Sequence, residues 1–153
     1  MRISSSLGWA FLAVTLMGFL LYCPEPRAAG ESTFQVQLVW GTNGEKPKDK
    51  PLKDVDPKLQ DKLKGLFKWG KYYEVSSKPL PVPKDNASQK LKLSEKCEIQ
   101  IQDLGNSRIE IRLFGEGKPV VKRTQPVVPG ELIILGGDSE NNTAWFVVLL
   151  PPK

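Results

Sequence analysis

Four aromatic residues lie close together in the sequence and could form a binding surface. They are Trp40, Trp69, Tyr72 and Tyr73. An exposed row of such rings can stack against sugars, because each ring has a flat apolar face and a polar edge. The four residues therefore predict a carbohydrate-binding platform. The alternative is that Trp40 and Trp69 fill the junction between a helix and a sheet, while a tyrosine covers the sheet edge.

The chain has no histidine, and this limits the chemistry open to it. Ser-His-Asp and Cys-His sites are excluded, and the commonest neutral metal ligand is missing. Cys97 falls on the apolar side of a predicted strand, which predicts a buried, inert thiol. We therefore predict a protein that is not an enzyme, with no catalytic residues, no metal and no cofactor. The remaining enzymatic alternative is a carboxylate-based hydrolase that uses Asp103 and Glu110, which flank one predicted hairpin.

Two glycine-containing segments superficially match ligand-binding loops. Residues 115–118 (GEGK) resemble part of a phosphate loop, but no helix follows them to complete the phosphate cradle. Residues 136–138 (GGD) resemble part of a calcium loop, but they lack acidic ligands at alternate positions. Both segments are interpreted as hairpin turns.

Lysines are concentrated in one half of the chain. The series consists of Lys46, Lys48, Lys50, Lys53, Lys58, Lys62 and Lys64. Such a series is typical of a solvated face, and any partner recognised there would be an anionic polymer or an acidic protein. The formal net charge is +5, without the long block of like charge that a nucleic-acid-binding tail requires, so no nucleic-acid partner is predicted.

The N-terminus has the pattern of a secretory signal peptide. Arg2 precedes an apolar stretch over residues 7–22, and residues 24–30 (PEPRAAG) end it with small side chains. We predict cleavage after Gly30, which leaves residues 31–153 as a single β-rich domain in the periplasm or outside the cell. Two alternatives remain: an uncleaved anchor, although the stretch is shorter than a membrane span, and a lipoprotein signal that uses Cys23.

One segment has the pattern of a helix. Over residues 56–69, Asp56 is placed to cap the first turn, and Gly70 is placed to end the helix with a positive φ. The apolar residues follow helical spacing and form one stripe that must pack on a sheet. They are Leu59, Leu63, Leu66 and Phe67.

The rest of the domain alternates apolar and polar residues with a period of two, which predicts strands. Predicted strands cover residues 31–40, 72–77, 91–101, 109–113, 119–128, 132–135 and 143–150. Residues 41–55 are predicted to be an exposed loop, and residues 78–86, with three alternating prolines, an extended connection outside the sheet. The last strand is apolar on both faces and should be central, with Trp145 in the core.

The predicted fold class is mainly β, either an antiparallel β-sandwich or a partly open barrel of about seven strands with one short helix over residues 56–69. The leading functional hypothesis is an exported, non-enzymatic binding or structural module of the cell envelope. Its partner would be an envelope protein or an anionic or carbohydrate polymer, met at a sheet edge or at the basic, aromatic helix side. The alternative is a carbohydrate-binding domain that uses the four aromatic residues. No membrane span is predicted after cleavage.

Overall fold

A computed structural model describes residues 30–139 and 142–152. Apart from Gly30, the predicted signal peptide lies outside the described residues. The described elements, in chain order, are β1 (Glu31–Thr42), β2 (Lys53–Asp54), α1 (Pro57–Leu66), β3 (Lys71–Pro83), β4 (Ser88–Lys92), β5 (Cys97–Gly105), β6 (Arg108–Gly115), β7 (Lys118–Pro126), β8 (Ile133–Ser139) and β9 (Thr143–Leu150).

The strands form two antiparallel sheets, which confirms the predicted fold class. The first sheet has the order β2-β3-β1-β9-β8, and the second sheet has the order β4-β5-β6-β7. Neither sheet closes on itself within the described residues, so the architecture is that of a sandwich. The described part of the chain contains no helix with the length and hydropathy needed to span a bilayer.

Two apolar cores lie on opposite faces of the first sheet. The inner core fills the space between the sheets and includes Phe34, Ile101 and Val147. The outer core lies on the other face, beneath α1, and includes Leu63 and Phe146. Strand β9 contributes to both cores because its successive side chains point to opposite faces. It lies between β1 and β8, so the prediction of a central last strand is confirmed.

Helix α1 is shorter than predicted. The carboxylate of Asp56 caps it by accepting the backbone N–H of Lys58 at 3.0 Å, but the helix ends at Leu66. The chain turns to an extended conformation at Phe67, and Gly70 does not take a positive φ. The early end lets Trp69 enter the outer core.

The buried helix face is correspondingly narrow. Leu59 and Leu63 are buried, whereas Leu66 is 59% exposed and Phe67 36% exposed. The Tyr72 hydroxyl donates a hydrogen bond to the Leu63 carbonyl at 3.1 Å and so satisfies a carbonyl group of the last turn. The predicted four-residue stripe was therefore correct only for its first two members.

The predicted proline-rich connection is part of a strand. Strand β3 runs through Pro79 and Pro81 to Pro83 and pairs with β1 along its whole length. The backbone N–H of Lys84 donates to the carbonyl of Gly30 at 3.0 Å. In a strand, the N–H groups of successive residues point alternately to its two sides. The N–H of Lys84 points towards β1, and each of the three prolines is an odd number of residues away from Lys84. The ring nitrogens of the prolines therefore point away from β1. Their missing N–H groups therefore cost no hydrogen bond to β1.

Three other boundaries differ from the prediction. The long strand over residues 91–101 is a hairpin, since β4 and β5 pair with each other with Leu91 opposite Ile99. The predicted turn at residues 136–138 belongs to β8, where Gly136 pairs with Phe146. The loop after β1 contains the short strand β2, and Val55 beyond it is buried in the outer core.

Candidate functional site

The four aromatic residues predicted as a platform lie on two faces of the first sheet. Trp69 and Tyr72 are 4% and 1% exposed and pack in the outer core. Trp40 and Tyr73 are cross-strand partners on the inner face, with ring centroids 6.2 Å apart and an angle of 29° between the rings. Of the four, Trp40 is half-buried and the other three are buried. The rings therefore do not share one surface.

Trp40 lies instead in an open cleft at one end of the sandwich. The cleft has a volume of about 1050 Å³ and is bounded by the ends of strands from both sheets. Its first wall belongs to the first sheet and includes Trp40 and Trp145, which are partners on β1 and β9. Its second wall belongs to the second sheet and includes Cys97, Phe114 and Val120.

The glycine pair of β8 shapes the first wall. A Cβ atom added at Gly137 would lie 3.1 Å from Cζ2 of Trp145, so the indole ring lies directly against the strand backbone there. Trp145 is half-buried and packs against the edge of the inner core, rather than being fully buried as predicted. Its ring consequently has one side held by the sheet and another accessible from the cleft.

Polar groups surround this aromatic wall. The residues that line the cleft also include Ser94, Ser139, Thr143 and Lys50. A further amine, that of Lys96, lies 3.0 Å from the carboxylate of Glu116. The cleft thus combines aromatic faces with hydroxyl groups and cations, a composition suited to non-covalent binding of a ligand that has both apolar and polar parts.

Cys97 is a half-buried residue at the junction of the cleft and the inner core. Burial raises the pKa of its thiol, so the thiol is neutral at physiological pH. A neutral thiol is a poor nucleophile and a poor metal ligand. The prediction of a core position was correct for the side of Cys97 that packs against the inner core, but the residue is not fully enclosed.

Asp103 and Glu110, the nominal pair for a hydrolase, belong to opposite faces of the second sheet. Asp103 pairs with Ile109, whose side chain points into the inner core, so Asp103 is on the inner face. Glu110 follows Ile109 along β6 and is therefore on the outer face. The Asp103 carboxylate accepts the backbone N–H of Gly105 at 2.7 Å. The two carboxyl groups therefore do not face a common substrate position.

Glu110 is held in its ionised form. Its carboxylate accepts a hydrogen bond from Nε of Arg112 at 2.7 Å and lies 3.3 Å from the amine of Lys122. The hydrogen bond from Arg112, followed by that from Lys122, lowers the pKa of Glu110 below its ordinary value. A general acid near neutral pH needs a raised pKa, so this carboxyl group is unsuited to that role.

The Glu110 cluster makes a testable contribution to acid stability. Because the pKa of Glu110 is lower in the folded than in the unfolded state, its stabilisation is complete above the ordinary glutamate pKa and is lost as the pH falls through the lowered value. We expect Glu110→Gln to cost about 0.5–1 kcal/mol at neutral pH, since Arg112 and Lys122 remain largely in water, and to cost nothing at strongly acid pH. Urea unfolding at several pH values measures this. A pH-independent difference would contradict the assignment.

The described residues contain no cluster of three or more His, Cys, Asp or Glu side chains that could hold a metal ion. No family model, curated protein or solved structure matches this chain. The cleft therefore has to be interpreted from its own residues.

Sequence reasoning identified Trp40 and missed the other aromatic members of the cleft. Trp145 lies in a run that is apolar on both faces, so its pattern predicted core alone. Phe114 is the second-last residue of β6, before a glycine-containing turn, and this position near a strand end is a sequence signal that could have found it. The neighbours of Trp40 across the sheet depend on strand order, which periodicity does not give.

Proposed function

We propose that this protein is an exported, non-enzymatic binding module of the cell envelope and that the cleft is its ligand site. The observation that carries the proposal is the pairing of two half-buried tryptophans, Trp40 and Trp145, on one open wall. Large aromatic side chains that remain accessible in a concave site are typical anchors for ligands. The secretory pattern of the N-terminus supports the location.

The groups lining the cleft support binding rather than catalysis. Among the described lining residues the one carboxylate is that of Glu116, and it is ion-paired with Lys96. The thiol of Cys97 is protonated because burial raises its pKa. Neither group is placed as a nucleophile activated by a neighbouring base.

A carbohydrate ligand is the more specific candidate. Sugar rings offer C–H faces that stack on indole and hydroxyl groups that bond to serine and threonine, and both kinds of group line the cleft. Lys50 would favour a saccharide that carries carboxylate or phosphate groups, whereas the charge of Lys96 is balanced by Glu116. The favoured ligand is accordingly an anionic polysaccharide of the envelope.

Site-specific photocrosslinking in living cells tests whether the cleft binds a partner. A benzoylphenylalanine at Val120, which is 52% exposed at the cleft rim, should form an adduct with an envelope component. The matched control carries the same group at Arg108, an exposed residue on the pocket at the opposite end of the sandwich. Adducts from both positions or from neither would count against the cleft as a specific site.

The carbohydrate assignment is tested by titrating tryptophan fluorescence with alginate, dextran and peptidoglycan fragments. We expect saturable quenching by alginate and a weaker response to neutral dextran, because Lys50 gives the cleft lining an excess of positive charge. The alginate response should decrease with added salt, which screens that contribution. Lack of any response in the whole panel would refute the carbohydrate assignment and leave the crosslinking result to identify another ligand.

A further inference from the structure

Two large apolar residues are exposed at the C-terminal end of α1. Leu66 is 59% exposed and Phe67 is 36% exposed, and they are adjacent in sequence. One side of the Phe67 ring contacts Phe146 with ring centroids 4.5 Å apart, so this residue is held in place from below by the outer core. Leu66 and Phe67, called the projection below, are therefore held in a fixed position at the end of the helix.

Other partly exposed apolar residues lie on the outer face of the first sheet. Leu132, Ile134 and Leu150 are half-buried there and pack against the edge of the outer core. Leu66 and Phe67 are adjacent, exposed and supported from below, and exposed apolar groups fixed on a structured surface are typical of an interaction site.

Four lysines lie on α1 or just after it. Lys58, Lys62 and Leu66 follow one another at four-residue intervals and so lie along one side of the helix, while Lys64 and Lys68 flank the projection in sequence. The described residues place no carboxylate within ion-pair distance of these four amines.

Three lysines in or next to the second sheet differ in this respect. Lys90, Lys96 and Lys122 each form an ion pair there, at 3.3, 3.0 and 3.3 Å. Within the described residues, the amines of Lys58, Lys62 and Lys64 therefore have no carboxylate partner and can pair with an external anion, while that of Lys68 lies over the Trp69 ring, 4.8 Å from its centroid.

We propose that Leu66 and Phe67, with the lysines of α1, form a docking surface for an anionic lipid membrane. The charge complementarity is direct, because unpaired lysine amines can contact lipid phosphates while the two apolar side chains enter the boundary of the acyl chains. An anionic polysaccharide would satisfy the lysines but would leave Leu66 in water. The lipid surface is the partner that uses both parts of the surface.

This docking is peripheral and goes beyond the proposed binding function. The docking surface lies on the outer face of the first sheet, whereas Trp40 and Trp145 face the space between the sheets. A protein attached to a membrane through α1 would therefore keep the cleft accessible. Failure of lipid binding would leave the cleft proposal unaffected, since the two tests use different residues.

Vesicle sedimentation tests the docking surface. The protein is purified as its host exports it, and its N-terminus is determined by mass spectrometry so that all variants share the same first residue. We expect it to sediment with phosphatidylglycerol–phosphatidylcholine vesicles much more than with phosphatidylcholine vesicles, and less at high salt. Leu66→Ser should weaken the partition by about tenfold, and Lys62→Gln with Lys64→Gln should weaken it severalfold.

Two matched variants serve as controls. Leu104→Ser makes the same substitution at a leucine of β5 that is 42% exposed, and Lys84→Gln with Lys118→Gln makes the same charge change at exposed sites outside the region of α1. Both should bind vesicles as the unchanged protein does. Equal sedimentation of all variants would overturn the proposal. So would a protein that binds alginate instead of vesicles and still binds alginate after Leu66→Ser. Thermal unfolding verifies that Leu66→Ser is folded.

Discussion

Replacing Phe146 by alanine should lower the free energy of unfolding by about 3–5 kcal/mol. Phe146 is 2% exposed and lies at the centre of the outer core. Its ring contacts those of Phe67 and Tyr72, with centroids 4.5 and 5.8 Å away. Truncation would leave a cavity beneath α1 that the rigid sheet cannot close. Since domains of this size are stable by roughly 5–15 kcal/mol, the loss is a large part of the total.

Chemical denaturation followed by circular dichroism measures this loss, and Phe114→Ala is its matched control. Phe114 is the same residue type but is half-buried at the cleft, so we expect it to cost less than half as much. If the two substitutions cost the same, or if Phe146→Ala costs less than about 1.5 kcal/mol, the outer core does not stabilise the domain as described.

The glycine opposite Phe146 provides an independent check on this packing. A Cβ atom added at Gly136 would lie 2.5 Å from Cδ1 of Phe146, which is too close for both to remain in place. Gly136→Ala should therefore cost about 1–3 kcal/mol through overpacking. In a Phe146→Leu background the cost should be smaller, because the smaller side chain relieves the contact. Additive effects would contradict this account.

Replacing Trp145 by alanine is the second change for which a large effect is expected. With alginate as the probe, we expect the dissociation constant to increase about thirtyfold, the effect of removing an aromatic anchor worth about 2 kcal/mol. Trp145→Phe should retain part of the affinity because it keeps a stacking ring. Fluorescence of the remaining tryptophans, or calorimetry, provides the measurement.

The control for this effect is Phe67→Ala, which removes a partly exposed aromatic side chain from the opposite face of the first sheet. It should leave alginate affinity unchanged. Unfolding curves must show that Trp145→Ala remains folded, which is expected because Trp145 is half-buried and lies at the edge of the inner core. Unchanged affinity in Trp145→Ala would exclude this wall of the cleft as the binding site.

Periodicity predicted the sheets well because each sheet has a buried face. The alternation of Phe34, Val36 and Leu38 with polar residues gave the inner face of β1 directly. The hairpin between β4 and β5 was hidden for a physical reason. Leu91 and Ile99 are partners across the turn and are both odd-numbered, so the chain reverses without disturbing the alternation that suggested one continuous strand.

The candidate site was harder to predict than the fold. Trp69 and Tyr72 are near Trp40 in space, but an intervening sheet separates the faces on which they lie, and no local pattern shows this. Similarly, the glycines at residues 136 and 137 suggested a turn. They belong to a strand because the rings of Phe146 and Trp145 occupy the space that a side chain would take.

The prolines of β3 have a consequence for how copies of this protein can meet. Their ring nitrogens face the outer margin of β3, so a foreign extended segment approaching there would find carbonyl acceptors without matching amide hydrogens. Templated growth into fibrils is therefore obstructed along that margin.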